Sequence, residues 1–469
     1  MPPRLSWTLI IGLALFICWW QPGRDVEGVN PQGWRLLAVF LPCILALMLQ
    51  PLPGGAAVLL AVIASVLTGA LPLEKALGGY VNSSVWMVLA AFFLARALIN
   101  TGLARRIALG FVKLLGHTSL GLAYAVVASE VVMAAMIPTI AARLGGVLLP
   151  IIRSLAELYN SRPGETAGLL GRYLTLALYQ GSVVACALFL TGQASNPMAA
   201  QQAAIHTDGA VILDYGRWFY YACVPALTAL VIVPYIVFRL EKPGIVHTPK
   251  AAEFAREELA KMGPPQRNER LATIILAGSC LLLALGGAEQ ATVVLLGAVA
   301  LLVLTNVLSW NDITGEHGAW DVFIWYGGLL QLGTQLKETG LIDLFAKTAA
   351  GSFHGWSWLP LFIATLLIYF YAHYAFASIT AHILTLYPAF VAVLITTGAP
   401  APLVVCVFAF FANFSAGLTH YGTTPGPILF STGYVSLGTW WRVGFLVSLV
   451  NVAIWLTVGM AWWKLVGLW

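Results

Sequence analysis

Long apolar runs recur along this chain, separated by short polar or glycine- and proline-rich breaks. A helix needs about 20 predominantly apolar residues to cross the hydrocarbon core of a bilayer. By that measure Leu5–Trp20, Trp34–Leu49, Ala56–Leu71, Val85–Ile99, Trp218–Phe238, Leu271–Leu285, Ala291–Leu308, Val322–Leu336 and Val443–Trp462 read as spans. They lack the polar face of a helix lying on a soluble core. Composition agrees, with 60% hydrophobic and 9% charged residues, against roughly 25% charged in soluble domains. The pattern predicts an all-α polytopic membrane protein.

Between these spans lie four polar interruptions. Pro138–Gly146, flanked by Leu120–Ile137 and Val147–Leu158, reads as the tip of a re-entrant hairpin. Ala377–His382, flanked by Leu359–Phe376 and Ile383–Thr396, reads as a second tip. Thr191–Pro197, after Arg172–Leu190, and Ala416–Pro427, after Leu403–Ser415, break full crossings. Unwound polar backbone at membrane depth survives only where it is buried in protein or lines a cavity. Interruptions at matching places in two halves point to a transporter's binding site.

The matches extend beyond the interruptions. Asn100-Thr101-Gly102-Leu103-Ala104 corresponds to Glu338-Thr339-Gly340-Leu341-Ile342, Thr139 to Ser378, Leu190 to Leu418, and Gly216-Arg217-Trp218 to Gly438-Thr439-Trp440, all in one order. Close helix packing would explain single small residues but not their shared order. The expected organisation is an N-terminal helix (1–33), a first inverted repeat (34–238), a linker (239–270) and a second inverted repeat (271–469). Each repeat holds one hairpin and one broken helix. Half-helix N-termini at the tips and breaks would offer free N–H groups to carboxylates.

Charge suggests orientation. The central stretch Arg239–Arg270 carries seven Lys/Arg, so it is expected in the cytoplasm with the N-terminus. Gln201–Tyr215, acidic and without Lys, reads as external, and the C-terminus is then external too. The acidic Asn311–Asp321 is cytoplasmic by counting, since acids weigh little in this rule. Leu5–Trp20 ends in Cys18-Trp19-Trp20 rather than a small-residue cleavage site, which favours a retained helix in a plasma (inner) membrane. The six cysteines stand singly in apolar runs, so neither metal nor cofactor is expected.

Several strings resemble the divalent anion:sodium symporter (DASS) family, and in particular its branch of 2-oxoglutarate/malate translocators and citrate or tartrate/succinate antiporters. They are Leu418-Thr419-His420-Tyr421-Gly422-Thr423, Gly433-Tyr434-Val435, Trp440-Trp441-Arg442-Val443-Gly444-Phe445, Tyr369-Phe370-Tyr371-Ala372-His373-Tyr374 and Leu190-Thr191-Gly192-Gln193. The resemblance covers nearly the whole chain. It implies about eleven transmembrane helices plus two re-entrant hairpins, a homodimer and an elevator-like transport domain. The family's tips carry Ser-Asn-Thr, or Ser-Thr-Thr at the second tip of antiporters. Here they read Thr139-Ile140-Ala141 and Ser378-Ile379-Thr380. Isoleucine offers no side-chain oxygen to a hard cation, and Ala141 lacks a hydroxyl for a substrate carboxylate.

The expected substrate-binding residues are Thr139, Ile140, Ala141, Arg143, Ser195, Asn196, Pro197, Ser378, Ile379, Thr380, His382, His420, Thr423, Thr424 and Pro425. Arg143 and His382 each lie four residues after a matched tip residue, where either could face a dianion. Arg143 could instead snorkel or pair with Glu130, and Glu130 could carry a proton or serve as that partner. His373 and Tyr374 are expected to pack beside the second tip. The function expected is secondary transport of small di- or tricarboxylates, by exchange. Without a bound anion, positive charge from Arg143, His382 or His420 would impede reorientation. Alternatives are a sodium- or proton-coupled carrier of another organic anion and, remotely, an intramembrane enzyme. Enzyme chemistry needs a nucleophile–base pair or a metal cluster, and none stands out. The partners expected are the anion, lipid and a second copy, with no nucleic acid.

Overall fold

The computed structural model describes residues 3–21, 26, 29–286, 288–353 and 355–469. Part of the connection expected to close the N-terminal segment, at 22–25 and 27–28, lies outside the described residues. Among the described residues there is no β-strand, only an isolated bridge between Thr118 and His247. The first helix, Pro3–Trp19, packs against Gln32–Leu49.

Two series of elements then follow in the same order. The first comprises Gln32–Leu49, Gly54–Leu67, Ser83–Asn100, Leu103–Leu115, a hairpin of Ser119–Ala134 and Ala142–Leu158, a crossing broken between Gly171–Leu188 and Ser195–His206, and Tyr215–Leu240. The second comprises Arg267–Leu285, Ala288–Leu304, His317–Glu338, Leu341–Gly351, a hairpin of Trp358–Tyr371 and Ile379–Thr396, a crossing broken between Ala401–Ser415 and Pro425–Phe430, and a last segment from Leu437 to Leu465. The matched Thr-Gly-Leu strings do one job in both halves. Gly102 (φ +78°) and Gly340 (φ +76°) sit in the left-handed region and turn the chain from a long span into a short helix. Only glycine enters that region without steric cost.

The interruptions are narrower than the sequence suggested. At the first tip only residues 135–139 leave the helix, and Ala142–Leu148 form a π-helical stretch containing Arg143. At the second tip the helix resumes at Ile379, where the Ser378 hydroxyl caps it by accepting from Ala381 N. The broken crossings restart at Ser195 and Pro425. Pro197, Pro425 and Pro427 therefore occupy first turns, where a missing N–H costs nothing. His317–Glu338 begins earlier than Val322, which takes Asp321 from a loop into a span. The central linker is also more ordered than a loop. Its helix Pro249–Met262 lies along Leu103–Leu115, joined by the Arg105–Glu258 pair at 2.7 Å, with an Arg106–Glu269 pair beside it.

The core is centred on the two broken crossings. Leu403 to Ser415 is buried throughout, as is Tyr173 to Leu188. Breaking a helix leaves carbonyls without partners, and a buried carbonyl must find a donor. Here each half supplies donors to the other. The Tyr179 hydroxyl donates to Ala416 O (2.9 Å) and Thr419 O (3.0 Å), and the Gln180 amide donates to Gly417 O (2.9 Å). In return Asn413 donates to Asn196 Oδ1 at 3.0 Å and accepts from Gln193. Large apolar side chains such as Leu67, Leu285, Val293 and Leu304 face outward, which suits a surface covered by acyl chains.

One close approach holds the second break in place. A Cβ at Gly444 would lie 2.6 Å from Gly417 O and 2.7 Å from Leu418 O, both main-chain atoms that cannot swing aside. Gly444→Ala is expected to cost about 1–3 kcal/mol, as overpacking does. The check is the melting temperature of the purified protein in detergent, where an unchanged value would show that the helix slides freely.

Candidate functional site

Both tips and both helix breaks converge on one cavity of about 740 Å³. Thr139, Ile140 and Ala141 come from the first tip, and Ala377 to Ala381 from the second. Gln193, Ala194 and Ser195 come from the first break, and Thr423 and Thr424 from the second. The facing wall is built by Leu47, Gln50 to Gly54, Gly318, Asp321, Val322 and Trp325, with Phe92. The cavity therefore lies between two bodies: the hairpins with the broken crossings, and the spans around His317–Glu338. Gly318 and the loop at 50–53 border it near the end of the fold where Glu316 pairs with Arg96 (3.7 Å) and Asp312 accepts from Asn100 (3.0 Å).

Its chemistry is mainly neutral. Hydroxyls come from Thr139, Ser195, Ser378, Thr380, Thr423 and Thr424, and amides from Gln50 and Gln193. The N-termini of Ile379–Thr396 and Ser195–His206 add main-chain N–H groups, a setting that favours anions. Ile140 and Ile379 give the middle of both tips an apolar surface. Among the described lining residues Asp321 alone is ionisable, and its carboxylate accepts from Gly55 N at 3.1 Å. Among the described residues no three His, Cys, Asp or Glu side chains are grouped to hold a metal.

Of the residues expected from sequence, Thr139, Ile140, Ala141, Ser195, Ser378, Ile379, Thr380, Thr423 and Thr424 line this cavity, while Arg143, Asn196, Pro197, His382, His420 and Pro425 do not. Arg143 is fully buried behind the first tip. Its guanidinium donates to Glu130 Oε1 (2.8 Å), Gly192 O (2.8 Å), Ile137 O and Cys186 Sγ (3.1 Å). It bolts the two hairpin arms to the first break, with its charge already met. Asn196 donates to Cys186 O (2.8 Å) and Phe189 O (2.9 Å). His420 accepts from Trp441 Nε1 at 3.3 Å and packs on Phe430.

The second half bolts its tip differently. His382 Nδ1 lies 2.7 Å from His373 Nδ1, and His373 Nε2 lies 2.9 Å from Gly422 O. Tyr369, nine residues before Ser378 as Glu130 is nine before Thr139, stacks against His382 with centroids 4.2 Å apart. An ion pair in one repeat is thus an imidazole and aromatic cluster in the other. Sequence reasoning missed Gln193, Asp321, Trp325 and the Gln50–Gly54 loop. The Pro51-Leu52-Pro53-Gly54 punctuation was a signal of irregular backbone, but nothing local placed it against the tips.

Comparison with known proteins agrees with this architecture. A family model described as "Sodium:sulfate symporter transmembrane region" matches residues 4–469. The chain is 38% identical to a putative malate transporter YflS of Bacillus subtilis, over 98% of this chain and 96% of that one. It is 40% identical to dicarboxylate transporter 1 of Arabidopsis thaliana chloroplasts (97% and 82%) and 31% to an L-tartrate/succinate antiporter of Shigella sonnei (94% of each). The solved structure of Neisseria gonorrhoeae MtrF shares the fold, with a TM-score of 0.58 at 14% identity over 85% of this chain and 84% of that one. With helices arranged as two similar series around a shared cavity and a family match along the whole length, the chain belongs to the sodium:sulfate symporter family, the divalent anion:sodium symporters, and is a membrane transporter rather than an enzyme.

Proposed function

We propose that this protein is a secondary carrier of small di- or tricarboxylates of the 2-oxoglutarate, malate, succinate and citrate class, exchanging one for another without sodium. The observation that carries this reading is the convergence of both tips and both breaks on one cavity. Its volume falls within the roughly 300–1,000 Å³ of small-ligand pockets. Two helix N-termini and paired hydroxyls suit an anion with two carboxylates. The isoleucines at both tip centres leave few oxygens for a hard cation. The names of the malate, dicarboxylate and tartrate/succinate relatives support the substrate class, and the antiporter supports exchange. Arg143 is paired with Glu130, so it does not supply the uncompensated positive charge that would favour exchange.

The motion proposed is elevator-like alternating access. Arg143, His373, Asn413 and Gln193 tie the hairpins and breaks into one body, which would move against the facing wall. In the proposed orientation the N-terminus and the linker are cytoplasmic, the C-terminus is external, and the membrane is the plasma membrane. The family's homodimer belongs to the same reading, the outward faces of Arg267–Leu285 and Ala288–Leu304 being open to a second copy.

The test is uptake of labelled 2-oxoglutarate, malate, succinate and citrate into proteoliposomes. Uptake is expected to be several-fold greater into vesicles preloaded with a carboxylate than into empty ones, and unchanged when choline replaces sodium. Sodium-driven accumulation in empty vesicles would overturn exchange, and no uptake of any of the four would overturn the substrate class.

A further inference from the structure

We infer that the His373–His382 pair is a proton site, taking up one proton when a carboxylate dianion occupies the adjoining cavity. The inference rests on the carboxylate reading above. Both rings are fully buried. His373 Nε2 faces Gly422 O, and a carbonyl can only accept, so that nitrogen carries a hydrogen. In the neutral ring His373 Nδ1 is then a lone pair, so His382 Nδ1 must carry the hydrogen shared across 2.7 Å. That leaves His382 Nε2 as a bare lone pair, and it is buried with no partner. Buried polar atoms are rarely left so. The neutral pair thus has one open acceptor, and a single added proton fills it.

The site lies directly behind the cavity wall. His382 follows Ala381 and Gly422 precedes Thr423, and both Ala381 and Thr423 line the cavity. No Asp, Glu, Lys or Arg side chain among the described residues bonds to either ring. The titratable groups on the elements packed around the pair are Tyr369 and Tyr371 on the preceding arm, Tyr374 beside His373, Tyr387 on the same helix, Cys406 on the broken crossing, and His420 and Tyr421 at the break. Beyond them, His206 on Ser195–His206 lies near Lys337, and Asp343, Lys347 and Arg35 on the flanking helices are exposed. None of these supplies a counter-charge to an imidazolium, so the incoming dianion would. Linkage is reciprocal: if the anion favours the proton, the proton favours the anion equally. Affinity must then rise as pH falls through the range where imidazole titrates. In exchange the proton would accompany the anion in both directions.

The experiment is calorimetric titration of the purified full chain with 2-oxoglutarate, which is fully ionised above about pH 6, in buffers of differing ionisation enthalpy. Wild type is expected to take up close to one proton per bound anion on the alkaline side. Its affinity should rise toward the lower end of about pH 6–8, with a slope approaching tenfold per pH unit. His382→Gln and His373→Gln should bind with a flat pH profile and no proton uptake, while His247→Gln, at an exposed linker histidine away from the cavity, should keep the uptake. Wild-type binding without proton uptake would overturn the inference even if neither His variant folds. So would uptake persisting in both folded variants. Absence of binding by 2-oxoglutarate, malate, succinate and citrate at every pH would overturn the carboxylate reading and the proton site together.

Discussion

Arg143→Gln is expected to lower folding stability by about 3–5 kcal/mol, the cost of stranding one member of a buried ion pair. Both side chains of the pair are 0% exposed. Removing the guanidinium would leave the Glu130 carboxylate buried without its cation and strip a donor from Ile137 O and Gly192 O. Those carbonyls are free because the chain breaks there, so the loss falls on the tip and the break together. Glu130→Gln should be comparably harmful, because it strands the arginine. Replacing both by apolar residues should recover much of the loss, since a buried pair contributes little net stability. Recovery should stop short of wild type because the two carbonyls still lack a donor. Melting in detergent and yield of monodisperse protein measure all three variants. A folded Arg143→Gln protein with wild-type melting but weakened binding of every dicarboxylate would return Arg143 to the substrate.

Arg143 also shows what the sequence could and could not say. Its position four residues after a matched tip residue was legible, as was Glu130 as a possible partner. Choosing between ion pair and ligand depended on which way the side chain turns inside a π-helical stretch. That is decided by Gly192 O, 49 residues away. The spans, tips and breaks were legible because their signals are local: apolar length, glycine, proline and small polar residues. The matched order of landmarks in the two halves was legible for the same reason, and Gly102 and Gly340 share one backbone conformation.

The facing wall was not legible. Asp321 meets Gly55 across 266 positions, and neither residue belongs to a motif. The His373–His382 bond was half visible, since His373 was placed beside the second tip without its partner. The linker helix was lost because Pro249–Met262 carries enough charge to read as a solvated loop. Its order comes from pairing with Leu103–Leu115, a tertiary term absent from any local window.

Filling the cavity should have the largest effect on transport. Ser378→Trp and Thr424→Trp are each expected to reduce carboxylate uptake to below about a tenth of wild type, because a pocket that buries most of its ligand cannot share its volume with an indole. The two positions lie on different elements, the second tip and the second break, and both line the same 740 Å³ cavity. Neither side chain is fully buried, so a larger group can extend into the cavity rather than into packed core. Melting should therefore change little, apart from loss of the weak Ser378 cap at 3.4 Å in the first variant. Leu67→Trp, on an outward apolar face with 81% exposure, is the control for adding an indole to the membrane surface, and its uptake should match wild type. Uptake is measured in proteoliposomes at equal protein density, with melting of the same preparations alongside. If both cavity variants fold and transport normally, the tips and breaks do not enclose the substrate. If only one fails, the path runs past that element alone, and the shared cavity is a packing feature rather than the site.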